Sequence, residues 1–452
     1  MSNRLKVTLA IVLAVVVVVG LAAYRNNSTA SPTTVHVWYE TDDPVEQAWA
    51  QHLAGLFNQT HKSVKADMKV WSYDDFNPKM QLALGAGTPP DLAYATPRMC
   101  AIPLYVQSKK LANLTSYARQ YHWAQQLRPG LLQDYNSPFA LYATQKYGVQ
   151  PKNVPVYAVP DAMAAVGMMY NVKLLHRLHL GIPKSLSQLE HDIAVTKKAG
   201  YTPLGLGNAD GWLGDDWYQT LANTQYTYAD LERELRVDPH FKFQRPAFVA
   251  MARLLDSWKG DFTHDFAGLD AQDGVVSFFK GKTLFQLISS TENAQIQSLQ
   301  RQTHLPINVF PFPGATTKSM PVMAQSGYEG WIIPKAGHNE KAAIEFINWV
   351  LQPAAKKFLL AQGVLPSEPT TAAQGTTGWQ KSYLQGLNKS RAGVFLDAAP
   401  ILNLNATMEA NVSLLLYNQQ IETPQFLPHA MQIVYNSLGK KHGQIPDIDC
   451  EF

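Results

Sequence analysis

Between residues 35 and 94 the apolar positions change period repeatedly. Val35-His36-Val37-Trp38-Tyr39 has strand composition. From Val45 onward, Val45, Ala48, Trp49, Leu53, Leu56 and Phe57 recur three and four apart, with His52 the polar exception, which is the stripe of an amphipathic helix. Val64, Ala66, Met68 and Val70 then alternate with Lys65, Asp67 and Lys69, as a half-buried strand does. Strand, helix and strand at this spacing predict a βαβ unit with a right-handed crossover. A second helical stretch, Lys79 to Ala86, stops at Gly87-Thr88-Pro89-Pro90, and Asp91 to Tyr94 reads as the next strand. The pattern predicts an α/β body with a mainly parallel sheet.

The middle of the chain is helix-rich, with short apolar strands at Val156–Val159 and Leu284–Ile288. Ala342 to Leu351 sets Ile344, Ile347 and Leu351 on one face, with Asn339 as N-cap and Pro353 as the stop. The following helix, Ala354 to Gln362, ends at Gly363 as a left-handed cap would. Residues 370–377 (TTAAQGTT) read as an exposed loop. There is no internal repeat and no low-complexity block.

Length and composition narrow the class. The 452 residues hold two or three domains of ordinary size, and a hydrophobic fraction of 46% supports real cores. Only 16% of residues are charged, the net charge is +3, and no long Lys/Arg stripe occurs, which excludes nucleic acid and an anionic membrane surface as the main partner. Recognition then falls to uncharged polar side chains and aromatics.

At the N-terminus, Arg4 and Lys6 precede an apolar run from Val7 to Tyr24 closed by Arg25, the pattern of export. The run suits either a signal core, cleaved near Ser28-Thr29-Ala30 or Leu21-Ala22-Ala23, or a retained anchor, since a span wants about 20 apolar residues. No Cys follows it, so no lipid attachment is expected there. The folded part is expected outside the cytoplasmic membrane either way, with membrane contact only through this segment. Residues 24–34 read as a linker. Cys100 and Cys450 either pair across a long loop or stay as free thiols.

A ligand site is expected beyond the carboxyl ends of the parallel strands. Glu40 and Asp42 lie just past the first strand and can accept from hydroxyls; Asp42 and Asp43 alternatively cap the helix from Pro44. Arg98, in the loop after the Asp91 strand, forks onto a hydroxyl or carboxylate, or forms an ion pair within its lobe. Residues 207–217 (GNADGWLGDDW) gather rings and carboxylates, with Trp212 and Asp215 as candidates and core packing of Trp212 and Trp217 as the alternative. Trp331, which alternates into Ile332-Ile333-Pro334, reads as core. Carboxylates beside aromatic platforms suit a sugar, which offers hydroxyl edges and apolar faces.

No motif points to a cofactor, metal or catalytic group. Gly281-Lys282-Thr283 lacks the leading glycine of a phosphate loop, Asp210 stands where a dinucleotide fingerprint needs its third glycine, and His176 with His179 is too few for zinc.

Five ordered segments carry a family resemblance: Gly85-Ala86-Gly87-Thr88-Pro89-Pro90-Asp91; Tyr157-Ala158-Val159-Pro160 with Met169-Tyr170-Asn171; Gly181-Ile182-Pro183 with residues 185–189; Phe279-Lys280-Gly281-Lys282-Thr283; and residues 310–314 (FPFPG) with 326–334 (SGYEGWIIP) and the helix near Lys341. Together they resemble the extracellular solute-binding proteins of carbohydrate ABC importers, the family of maltose- and trehalose-binding proteins. The resemblance implies an α/β, two-lobed periplasmic-binding-protein-like fold with a strand-crossover hinge. Lobe one would be residues 35–158 and 312–356, lobe two residues 159–311 and 357–452, and the hinge near Val156–Pro160 and Phe310–Phe312. It further implies ligand contacts at Glu292, in the loop after the Leu284 strand, and at Tyr328 and Glu329 in the glycine-flanked stretch before Trp331, and a non-enzymatic receptor without cofactor that passes a small ligand, a sugar or oligosaccharide, to ABC permease subunits.

Two departures bear on the ligand. An Asp that grips sugar in several relatives is Ala164 here, with Asp161 nearby but out of register, and the loop at Glu292 lacks the relatives' Trp. On the same scaffold a glycerol phosphodiester, polyol or peptide is the alternative, with Arg98 and Arg391 the cations a phosphodiester would need. A secreted carbohydrate-active enzyme is the remaining rival, with Asp215, Asp216, Glu292 and Glu329 as its carboxylates.

Overall fold

The computed structural model describes residues 31–41, 43–95, 101–144, 154–226, 242–327, 329–370, 374, 377–393, 402–417 and 424–439. The N-terminal apolar run, Asp42, Arg98, Cys100, Tyr328, Cys450 and most of the predicted 370–377 loop lie outside them. Among the described residues no helix is long and apolar enough to cross a membrane.

The predicted βαβ unit forms as β1 (Thr33–Glu40), α1 (Pro44–Thr60) and β2 (Val64–Trp71), with β1 and β2 parallel from Thr33↔Val64 to Glu40↔Trp71. The helix stripe is the reason it docks: Trp49, Leu53 and Phe57 are buried against Val35, Val37 and Ala66. Next, α2 (Tyr73–Ala86) begins six residues before the expected Lys79. Ser72 caps it by accepting from the Asp75 N–H at 3.2 Å, a polar signal that apolar period cannot reveal. It ends at Gly87, whose φ of 75° only glycine adopts without strain. β3 (Leu92–Ala95) follows, and α3 (Leu131–Thr144) leads to the two-residue β4 (Ala158–Val159).

From there the chain passes through residues 160–162 into a second sheet: β5 (Met163–Asn171), β6 (Thr202–Gly205), α4 (Trp212–Gln225), β7 (Thr283–Ser289), α5 (Asn293–Thr303), β8 (Ile307–Phe310) and β9 (Val322–Gly327). It returns through residues 328–329 to β10 (Gly330–Ile332), α6 (Glu340–Val350) and α7 (Pro353–Gln362). Residues 363–367 make a third crossing, after which β11 (Arg391–Gly393) joins the second sheet.

The first sheet has the order β2-β1-β3-β10-β4, the second β11-β9-β5-β7-β6 with β8 also on β5. The return crossing is therefore not at the expected residues 310–312. Both β8 and β9 pair with β5, so the chain stays in the second sheet to Gly327. The expected change of lobe after residue 356 also moves, since Leu359 of α7 is still part of the first core.

The start of α6 also differs from expectation. Asn339 makes no side-chain cap; it donates to the Thr34 carbonyl at 3.0 Å and to Asp91 at 3.2 Å. Asp91 supplies the cap instead, accepting from the His338 and Asn339 N–H groups at 2.8 and 3.0 Å.

Candidate ligand-binding site

Strand directions decide where a ligand can sit. β1, β2, β3 and β4 all end at the edge where the antiparallel β10 begins. In the second sheet β6, β7, β9 and β11 end at the edge where β5 begins. The two direct crossings span only three residues between Val159 and Met163 and two between Gly327 and Gly330. At about 3.3–3.6 Å per residue the two edges cannot be far apart. The carboxyl ends of both sheets consequently face one another.

The crevice between them is lined on one side by Asp43, Glu46, Trp49 and Tyr94, on the other by Ala162, Met163, Ser290, Thr291 and Ala294, with Val364 from the third crossing. It encloses about 20 Å³, room for a single water, within ≈ 360 Å³ that runs out to solvent. Ligand pockets usually measure roughly 300–1,000 Å³, so a guest larger than water enters only when the walls part. Contacts of α5 with α1 and α7 hold them together.

Behind this wall the first sheet carries buried acids among aromatic rings. Tyr39 stacks on Tyr94 with centroids 4.5 Å apart, and Tyr94 meets Trp331 at 4.7 Å. Glu46 accepts from the Tyr39 hydroxyl and from Thr41, each at 2.8 Å. Burial raises its pKa to about 7 against the pull of those two donors. Asp161, on the first crossing, is pushed to about 6 by burial, which Trp331 and Tyr94 partly offset. Glu368, just past the third crossing, is raised to about 8, again by burial first. The Tyr135 hydroxyl of α3 is raised by burial and by Glu329, Asp161 and Glu40 around it.

The expected residues divide into two groups. Glu40, Asp161 and Glu329 come together, all buried, at the edge of the first sheet. Glu292 lies at the opposing edge but turns inward. One oxygen accepts from the Ser289 N–H at 3.1 Å in a capping box, and burial with Asp216 and Asp210 raises its pKa well above normal. Its neighbour Thr291 faces the crevice instead.

Trp212 is half-buried, packs on the second core, and donates to Asp210 at 2.8 Å, so it does not stand on the crevice wall. Asp215 is buried in the first turn of α4, and Trp217 is fully buried in the second core, as its alternative reading had it. Arg391 sits at the entry of β11, two residues before the strand's crevice-side end, and donates to the Asn223 carbonyl. It is therefore not in the crevice wall. Asp42, Arg98 and Tyr328 lie outside the described residues.

Sequence reasoning missed Glu46, Trp49, Tyr94, Ser290 and Tyr135. Trp49 was visible only as part of the core stripe, and Glu46 only as an acid in a first helical turn. An acid in that turn just past a strand's carboxyl end was the one signal that could have pointed to the crevice. Among the described residues no group of His, Cys, Asp and Glu could hold a metal ion.

Comparison with known proteins agrees with this geometry. A protein of xylan utilization by Caldanaerobius polysaccharolyticus superposes with a TM-score of 0.72 at 19% identity, over 88% of this chain and 99% of that one. RafE of Streptococcus pneumoniae in complex with raffinose gives 0.68 at 17% identity, over 90% and 99%. A Bacillus licheniformis sugar transporter in complex with stachyose gives 0.66 at 18% identity, over 90% and 100%. At these identities the likeness is one of fold. No curated protein matches the sequence. The family model for bacterial extracellular solute-binding proteins matches residues 40–357, well over half of the chain, and to that family the chain belongs.

Proposed function

We propose that the crevice between the two sheet edges binds a neutral, hydroxyl-rich solute, a sugar or oligosaccharide, outside the cytoplasmic membrane, and that the protein hands it unchanged to an ABC permease. The observation that carries this reading is the lining of the crevice. Acids and aromatics on one wall, Glu46, Asp43, Trp49 and Tyr94, face Thr291 and Ser290 on the other, the Ser290 hydroxyl being held by the Met163 carbonyl and the Ala165 N–H so that Thr291 is the hydroxyl left to a guest. Carboxyls and hydroxyls accept from and donate to sugar hydroxyls, while a ring covering a sugar face contributes a kcal/mol or two at about 25 cal/mol per Å².

The two bodies act as lobes: residues 31–159, 330–362 and the first sheet on one side, residues 163–327 and the chain beyond 367 on the other. They part and close about the three crossings. Solved structures of the same fold hold raffinose and stachyose. The phosphodiester alternative finds no support in the wall, since no Lys or Arg is among the described residues that line it. Of the carboxyls a hydrolase reading would use, Glu292 caps its own turn and Asp215 is sealed in a helix, so neither is presented as a pair with Glu329.

A thermal-shift screen of neutral mono-, di- and oligosaccharides tests the reading. A ligand at one hundred times its Kd should stabilise the protein by about 2.7 kcal/mol, a rise of a few degrees. A response to phosphorylated or cationic compounds alone would refute the sugar assignment, and release of a product during incubation would refute the absence of catalysis.

A further inference from the structure

Two of the three crossings carry a carboxyl, a third carboxyl directly follows the last, and the crossings lie side by side. Asp161 is in the first, Glu329 in the second, and Glu368 follows the third directly. The Ser367 N–H donates to the Asp161 carbonyl at 2.9 Å, and the Met163 N–H to the Leu365 carbonyl at 2.8 Å, tying first and third together. At Gly327 an added Cβ would lie 2.8 Å from Pro160, so the second crossing starts against the first.

All three acids are buried, at 2%, 1% and 5% exposure. Neither oxygen of the Glu368 carboxyl, nor one of the Asp161 oxygens, has a hydrogen-bond partner. The Tyr135 hydroxyl, among these acids, has none either.

We infer that these crossings form a proton-linked hinge, in which protonated carboxyls at Asp161 and Glu368, packed beside Glu329, hold the lobes closed and their ionisation opens them. This rests on the reading of the chain as a two-lobed binder. The groups that face Asp161 are Tyr39 of β1, Glu46 of α1, Tyr94 of β3, Trp331 of β10, Tyr135 of α3 and Glu368. Glu329 acts on the same Tyr39 and Tyr135. Lys356 of α7 is the cation acting on Glu368, and it is directed to the Pro369 carbonyl at 2.8 Å.

Burial of like groups in one water-poor volume disfavours their charged forms. Parting the lobes admits water to the crossings and removes that penalty. The sign follows: the closed form binds more protons than the open one, so closure prevails in acid and is lost as pH rises through the closed-state values, about 6 for Asp161 and about 8 for Glu368. Each proton released changes the open-to-closed ratio by up to about tenfold per pH unit. A receptor of this kind retains its ligand better in acid than in alkali.

The test uses paired spin labels at the exposed positions Leu82→Cys on the first lobe and Ile433→Cys on the second, with Cys100→Ser and Cys450→Ser, in the full chain without sugar. The inter-lobe distance distribution should move from one population to another between pH 5 and 9. Asp161→Asn and Glu368→Gln, which cannot ionise, should keep the acid distribution at pH 9. A distribution in the parent that does not change with pH overturns the inference, as do folded variants that follow the parent's curve. If the variants do not fold, the parent's own curve decides. Because no ligand is present, a negative result leaves sugar binding standing, and a failed sugar screen leaves the hinge to be judged by its own distances.

Discussion

Asn136 and Ala158 hydrogen-bond in both directions: the Asn136 amide donates to the Ala158 carbonyl at 2.8 Å, and the Ala158 N–H donates to the Asn136 oxygen at 3.0 Å. That oxygen also accepts from the Tyr157 N–H at 2.8 Å. β4 is the last strand of its sheet and pairs only with β10 on one side. A single side chain on α3 thus stands in for the missing strand on the other.

Replacing Asn136 with Ala leaves two buried N–H groups and a carbonyl without partners. At about 1–3 kcal/mol for a stranded buried group, some of it recoverable by local shifts, Asn136→Ala should lose about 2–4 kcal/mol. Chemical denaturation should show the midpoint falling. Because β4 runs straight into the first crossing, sugar affinity should fall as well, whereas an equally destabilising change on the outer face of the second lobe should leave affinity unaltered.

Asp91 is the opposite electrostatic case. Burial by itself would raise its pKa, but bonds from the His36 N–H, the Asn339 side chain and the His338 and Asn339 N–H groups outweigh that and hold it below normal. A carboxyl whose folded pKa is depressed stabilises above its unfolded value near 4 and loses that contribution as pH falls through the folded value. Asp91→Asn keeps one acceptor but turns an NH₂ toward donors. It should cost about 1–3 kcal/mol at pH 7 and less as pH falls below the unfolded value, read as the difference between denaturation midpoints at neutral and acid pH. An equal loss at both would mean that shape rather than charge matters there.

The first lobe was legible because its signals are local. The periods of residues 35 to 94 encode strand, stripe and strand directly, and Gly87 and Gly363 end helices where a left-handed residue is needed. The return crossing was not legible. β9, with the sequence VMAQSG, has neither an apolar run nor an alternation to mark it, and only its pairing with Met163, Ala164 and Ala165, some 160 residues away in sequence, assigns it to the second sheet. The crevice suffered similarly. Glu40 was found because it adjoins a strand end, and Asp161 and Glu329 through the family resemblance, while Glu46 and Tyr135 sit on helices whose orientation toward the site is set by tertiary packing. At residues 291 and 292 the question was which of two neighbours turns out, and the capping box at Ser289 decided for Thr291.

Gly327 and Gly330 bracket the second crossing under the ring of Tyr135. A Cβ at Gly327 would lie 2.5 Å from that ring, and one at Gly330 would lie 2.8 Å from the Tyr135 hydroxyl and 3.0 Å from Ala158. Neither glycine has a positive φ, so space and not backbone conformation excludes a side chain. Gly330→Ala should cost about 1–3 kcal/mol through overpacking. Combined with Tyr135→Ala, the two losses should sum to more than the double variant shows, since the smaller residue vacates the volume the new methyl needs. Strict additivity in a double-mutant cycle would remove Tyr135 as the cause.

Thr291→Trp separates folding from function. Thr291 is half-buried on the crevice wall, opposite the side that presents Glu46, Trp49 and Tyr94. The enclosed space is about 20 Å³, far less than an indole, so the new ring fits only with the lobes parted. Each lobe keeps most of its own core, because β5 and α5 are buried mainly within the second lobe, and parting the walls gives up only the contacts of α5 with α1 and α7 and of Leu131 with Met163. Thermal stability without ligand should therefore change by less than about 1 kcal/mol. Sugar affinity should fall by tenfold or more, since closure over the guest is blocked and at least about 1.4 kcal/mol of contact from the opposing wall is lost. Calorimetric titration reads the affinity and scanning calorimetry the stability. A variant that still binds as tightly as the parent would move the ligand out of this crevice, and with it the reading of Glu46, Trp49 and Thr291 as facing walls of one site.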